Sequence, residues 1–163
     1  MSLDTVGWIF VAGVLVHNTE EAVLLPSWSK TAGRWHRQVS ATEFRFAVLV
    51  LSIVLIIFSV AASLSEPRSF AAYLMAGYVL AMTVNVFMPH ILATLFTRSY
   101  MPGTATAVLL NLPLGTFYMY RSLSTRQIEP VTFAWSGPVM VMVILTSIPC
   151  LFFLGRKTIT SQG

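Results

Sequence analysis

The sequence predicts an all-α protein, a polytopic bundle of about five transmembrane helices forming one membrane-embedded domain over residues 1–163. Composition is the first reason. The chain is 56% hydrophobic and 10% charged, whereas a soluble domain averages about 45–50% apolar and about 25% charged. Water could not solvate such a surface, so lipid must replace it. Run length is the second reason. The apolar stretches 46–64, 71–96 and 131–154 each approach the ~20 residues that cross a bilayer as a helix. Barrel strands of about 9–11 residues with alternating polarity are not seen.

The spans follow in chain order. The first covers 3–25 and is closed by Pro26. Its opening residues carry Asp4 and no basic residue, unlike a cleavable leader, so it is expected to remain as a helix. A polar connector follows with Lys30, Arg34, His36 and Arg37. The second span covers 41–64 and stops at Ser65, Glu66 and Pro67. The third covers 70–96. The fourth, 104–120, follows Pro102-Gly103 and is short, with Pro113 inside it. The fifth, 131–154, follows Glu129-Pro130 and precedes Arg156-Lys157. Proline and glycine at these joins are ordinary chain punctuation.

Five spans put the two ends of the chain on opposite sides. One side collects Lys30, Arg34, Arg37, Arg45, Arg98, Arg156 and Lys157; the other holds Arg68, Arg121 and Arg126. Basic residues favour the cytoplasmic side, so the reading is N-terminus out and C-terminus in. The net charge of +4 then reads as orientation signal and anionic-lipid contact. No basic stripe with interleaved aromatics suggests a nucleic-acid partner. The single cysteine, Cys150, cannot form an internal disulfide.

Against this apolar background the polar residues stand out. The first span holds His17, Asn18, Thr19, Glu20 and Glu21, the third Asn85 and His90, the fourth Asn111, and the second begins near Glu43. An ionisable group in the membrane costs roughly 2.5–3.5 kcal/mol on insertion scales, so its presence needs a reason. At 100° per residue, His17, Glu20 and Glu21 share an arc of about 100°. Topology brings His90 and Glu43 to the same end. Pro89 cannot donate to the Asn85 carbonyl, so a kink is expected beside His90.

Two chemistries fit. His17, Glu20, Glu21 and His90 could ligate a divalent metal, zinc or iron, both of which accept imidazole and carboxylate. Alternatively Glu20 and Glu21 could divide general acid and base roles with a histidine partner. Asn85 and Asn111 are candidate substrate-binding groups, or interhelical hydrogen-bond glue. A structural ion-pair knot at His17, Glu20 and Glu21 is the plain alternative. Glu43 reads more simply as a first-turn carboxylate, and His36 as a connector residue.

The run His17-Asn18-Thr19-Glu20-Glu21 resembles the signature of the HXXEE-domain family, small multi-span bacterial membrane proteins. Asn85 followed by His90, and Arg98-Ser99-Tyr100-Met101-Pro102-Gly103 leading into Leu112-Pro113-Leu114-Gly115, strengthen the resemblance across 13–115. It implies that His17, Glu20, Glu21, Asn85 and His90 act as one constellation. It implies no substrate, and His36 and Cys150 have no counterpart in it. The leading expectation is a membrane-embedded, metal-dependent enzyme on a lipid-soluble or amphipathic substrate: a hydrolase, an oxidoreductase or an acid/base isomerase. The alternatives are a proton- or cation-coupled transporter and a non-catalytic accessory subunit. Expected partners are the bilayer, a lipid or lipophilic small molecule, and further copies of the chain.

Overall fold

A computed structural model of the chain describes residues 1–32 and 38–160. Arg34, His36 and Arg37 therefore lie outside the described residues. Among the described residues all regular structure is helical. Helix α1 spans Leu3–Trp28, α2 spans Ala41–Ser63 and α3 spans Phe70–Asn85. A π-helical turn, Val86–Ile91, joins α3 to the short α4, Leu92–Thr97. The next pass combines α5 (Thr104–Thr106), a π-helical stretch (Ala107–Asn111) and α6 (Leu112–Ser124). The last is α7, Pro130–Thr160.

The helices run up and down as five passes. At one end the Arg68 N–H donates to the Gln127 carbonyl (2.8 Å), joining two connectors. At the other, the Arg156 Nε donates to Glu43 (2.9 Å), joining α7 to the start of α2. Among the described residues four passes are long and apolar enough to cross a membrane: Leu3–Trp28, Ala41–Ser63, Phe70–Thr97 and Pro130–Lys157. The fourth pass in chain order, with α5 and α6, does not reach that length as one apolar helix. The core between the passes contains Phe10, Val14, Leu55, Met75, Tyr78 and Val79. The perimeter carries exposed Leu49, Ile53, Ile57, Val139 and Val143. Apolar residues inside and outside alike suit a bundle whose solvent is hydrocarbon.

Local chemistry explains the helix boundaries. Ser2, Ser40 and Ser69 each cap a helix by accepting from the backbone N–H three residues on. Pro26 does not end α1, contrary to the sequence reading. A proline there leaves the Ala22 carbonyl without its helical donor, and Arg45 Nε of α2 supplies one at 3.0 Å. The helix continues for two residues, to Trp28. Pro113 likewise strips the Leu109 carbonyl, and the helix widens into a π-turn just before it. Pro89 breaks α3 as expected. Met88 leaves helical geometry (φ −132°, ψ 114°), and the Met88–Pro89 peptide is cis.

Helices α3 and α7 touch closely at Gly77, where a Cβ would fall 2.5 Å from the Met140 Cβ. Both atoms sit near the backbone, so no side-chain rotation relieves the clash. Gly77→Ala would gain up to about 1 kcal/mol of helix propensity, but overpacking costs about 1–3 kcal/mol. The expected net result is a lower melting temperature in detergent, read by the loss of helical circular dichroism.

Candidate metal centre

Three elements deliver the cluster. Helix α1 brings His17 and Glu21, one turn apart on the same face. The broken segment of α3 turns His90 inward beside them. The connector between α4 and α5 dips into the bundle, with Met101, Pro102 and Gly103 all buried. Both histidines are fully buried.

The ligand atoms converge. His17 Nε2 lies 3.5 Å from one Glu21 oxygen, and His90 Nε2 lies 3.4 Å from the other. One ligand atom from each of the three side chains falls within 4.8 Å of both others. The imidazoles meet edge to face, with centroids 4.9 Å apart. Neither Nε2 makes a hydrogen bond, although both are buried. A buried polar atom without a partner is costly, and two aimed at one carboxylate mark a place for a bound group. In a tetrahedral zinc site with bonds of about 2.0–2.1 Å, donor atoms stand about 3.4 Å apart. The separation of each histidine nitrogen from its Glu21 oxygen matches that spacing.

The opposite face of His17 is held in place. Its Nδ1 lies 3.2 Å from the Gly103 carbonyl and 3.0 Å from the Thr106 hydroxyl. The carbonyl can only accept, so Nδ1 carries the proton and Nε2 presents a lone pair to the cluster. A ring N–H given to a carbonyl is the usual support behind a metal-bound histidine.

Glu20 faces away from the cluster. Its Oε1 accepts from the Tyr100 hydroxyl and from the Gly103 N–H (3.1 Å), and its Oε2 accepts from Thr106 Oγ1 (2.7 Å). Burial, and then the bond to Glu20, raise the Tyr100 phenol above its usual pKa, so it remains a donor. Thus Glu20, placed by sequence among both the ligands and the catalytic carboxylates, grips the connector that supports His17. Only Glu21 joins the two histidines.

Gly103 closes the arrangement. Its φ of +89° lies in the left-handed region. A Cβ there would fall 2.7 Å from His90 Cε1 and 2.9 Å from both His17 Cε1 and Glu21 Cγ. Nothing larger than glycine fits over all three side chains.

A cavity of about 370 Å³ opens beside Glu21. Leu51, Met82, Ile144 and Phe152 contribute apolar wall, while Asn18, Asn85 and Tyr78, whose hydroxyl donates to the Leu51 carbonyl, stand with Glu21 as its polar groups. Asn18 also donates to Ser52 on α2 (2.9 Å). Asn85 is therefore where a ligand-orienting side chain would be. Asn111 is not among the cavity's lining residues. It is fully buried, with its Oδ1 3.9 Å from the position a Cβ on Gly13 would take. Glu43 also stands apart, paired with Arg156. Sequence reasoning missed Tyr100, Gly103 and Thr106 as site residues, and Asn18 as a cavity residue. The Pro102-Gly103 pair was the available signal, since it marks a sharp turn, but nothing local shows that the turn enters the bundle.

No solved structure matches the chain. It is 30% identical over 148 residues to an uncharacterised protein, YrkK, of Bacillus subtilis strain 168, covering 91% of this chain and 94% of the relative. Residues 8–118, which include His17, Glu20, Glu21 and the buried connector, match the family described as proteins of unknown function with an HXXEE motif. The chain belongs to that HXXEE family.

Proposed function

We propose that the protein is a membrane-embedded, metal-dependent enzyme acting on a lipid-soluble or amphipathic substrate, with His17, Glu21 and His90 as the metal ligands. The observation that carries this reading is the convergence of two partnerless Nε2 atoms on one carboxylate that borders an apolar cavity. Three protein ligands with a position left open are the pattern of catalytic rather than structural zinc sites. A divalent ion held there supplies Lewis acidity for hydrolysis, or redox chemistry in the case of iron. The residues do the rest. The apolar walls receive the substrate's hydrocarbon portion, and Asn85 and Asn18 orient its polar group. Gly103 and Thr106 hold His17 in one tautomer, and Glu20 anchors both. The bundle is one domain in a bacterial inner membrane, N-terminus out, so the site lies toward the cytoplasmic leaflet.

Metal content of the detergent-purified protein, measured by mass spectrometry, tests this directly. About one equivalent of zinc or iron is expected, falling at least tenfold in His17→Ala while helical content is kept. Protein that takes up neither zinc nor ferrous iron after reconstitution refutes the metal assignment.

A further inference from the structure

A second cavity opens at the same end of the bundle, and it is basic. Its volume is about 620 Å³, and it is bounded by α1, α2, α7 and the turn after α1. Lys30, Arg45 and Arg156 line it, against one carboxylate, Glu43. Ser27, Gln38 and Ser40 add polar groups. Glu43 is already bonded to Arg156. Arg45 uses its Nε on the Ala22 carbonyl, which fixes the side chain and leaves its terminal N–H groups for other acceptors. We infer that this groove binds the phosphate headgroup of an anionic membrane lipid.

Three features favour a lipid over a soluble anion. The groove lies at the ends of α1, α2 and α7, three of the helices long and apolar enough to cross a membrane. The charge excess is local: among the described lining residues three cations meet one carboxylate. The apolar cavity also begins within a few residues on each of the same helices, at Leu25, Phe44 and Phe152. A headgroup held by Lys30, Arg45 and Arg156 would thus have hydrocarbon contacts beside it for its acyl chains. Basic pockets between transmembrane helices are suited to anionic headgroups, with each cation contributing substantially near the membrane surface. The inference does not depend on a metal at His17, Glu21 and His90.

The test is thermal stability of the full chain in detergent as short-chain phosphatidylglycerol, short-chain phosphatidylcholine or inorganic phosphate is added. Phosphatidylglycerol is expected to raise the melting temperature saturably, and phosphatidylcholine to leave it nearly unchanged. Lys30→Glu should weaken the phosphatidylglycerol response roughly fivefold or more. Lys30 is exposed and at a turn, so this variant should fold. Equal responses to both lipids, no response to either, or a Lys30→Glu response unchanged from the parent would overturn the proposal. An equal shift with inorganic phosphate at the same concentration would also overturn it, in favour of a soluble-anion site.

Discussion

Glu21→Gln is expected to lose bound metal at least tenfold while the apoprotein melts at the same temperature or higher. Glu21 stands between two imidazole nitrogens at 3.4 and 3.5 Å, and neither contact has hydrogen-bond geometry. The Glu21 side chain, 13% exposed, therefore lacks a hydrogen-bond partner on its histidine side in the metal-free protein. Replacing it with a neutral amide leaves packing volume almost unchanged and breaks no hydrogen bond to either histidine. A metal ligand behaves differently. The amide oxygen is a weaker donor and carries no charge to offset the ion, so retention should fall sharply. The two expectations run in opposite directions, which makes the variant decisive. A structural knot would give the reverse: no change in metal, and a lower melting temperature with poorer expression. Metal analysis and a melting curve on the same preparation separate these outcomes.

The difference between Glu20 and Glu21 also shows how far the sequence could be read. Composition and run length were sufficient for a helical membrane bundle, because burial of apolar surface is a property of segments. The meeting of His17, Glu21 and His90 was also legible, since connector order decides which helix ends share a side. The roles of the adjacent carboxylates were not. Helical spacing placed Glu20 and Glu21 on one arc with His17, and an arc of about 100° is wide enough to face two neighbours. Glu21 meets His90 of the α3 break, and Glu20 meets Tyr100 and Thr106 of the connector. That division depends on a loop folding back into the bundle, a tertiary event without periodicity. The extent of α1 was missed for a related reason. Pro26 ends an isolated helix, but Arg45 supplies the Ala22 carbonyl from another helix. Asn111 and Asn85 looked alike as intramembrane amides, and only packing put one of them on the cavity.

Gly103→Ala should damage the centre more severely than any substitution outside its ligands. Two costs combine. The left-handed backbone, φ +89°, penalises an L side chain by roughly 1–2 kcal/mol. The new methyl would also press against His90, His17 and Glu21 at 2.7–2.9 Å. These rings and the Glu21 stem are held by the bundle, so the connector must lift instead. Lifting it withdraws the Gly103 carbonyl from His17 Nδ1 and the Gly103 N–H from Glu20. The tautomer of His17 is then no longer fixed, and supports of this kind are worth roughly 10–100-fold in metal affinity. Metal retention is expected to fall by that factor or more, with a loss of stability of about 1–3 kcal/mol. Gly77→Ala provides the matched control. It should lower stability by a similar amount through the α3–α7 contact while leaving metal content unchanged in the folded fraction. If Gly103→Ala kept its metal, the connector could not be the support of the site. If Gly77→Ala lost metal as completely, retention would be reporting global stability instead of local geometry. Measuring both variants side by side tests whether the buried turn at Gly103 acts on the centre through His17, as its hydrogen bonds indicate.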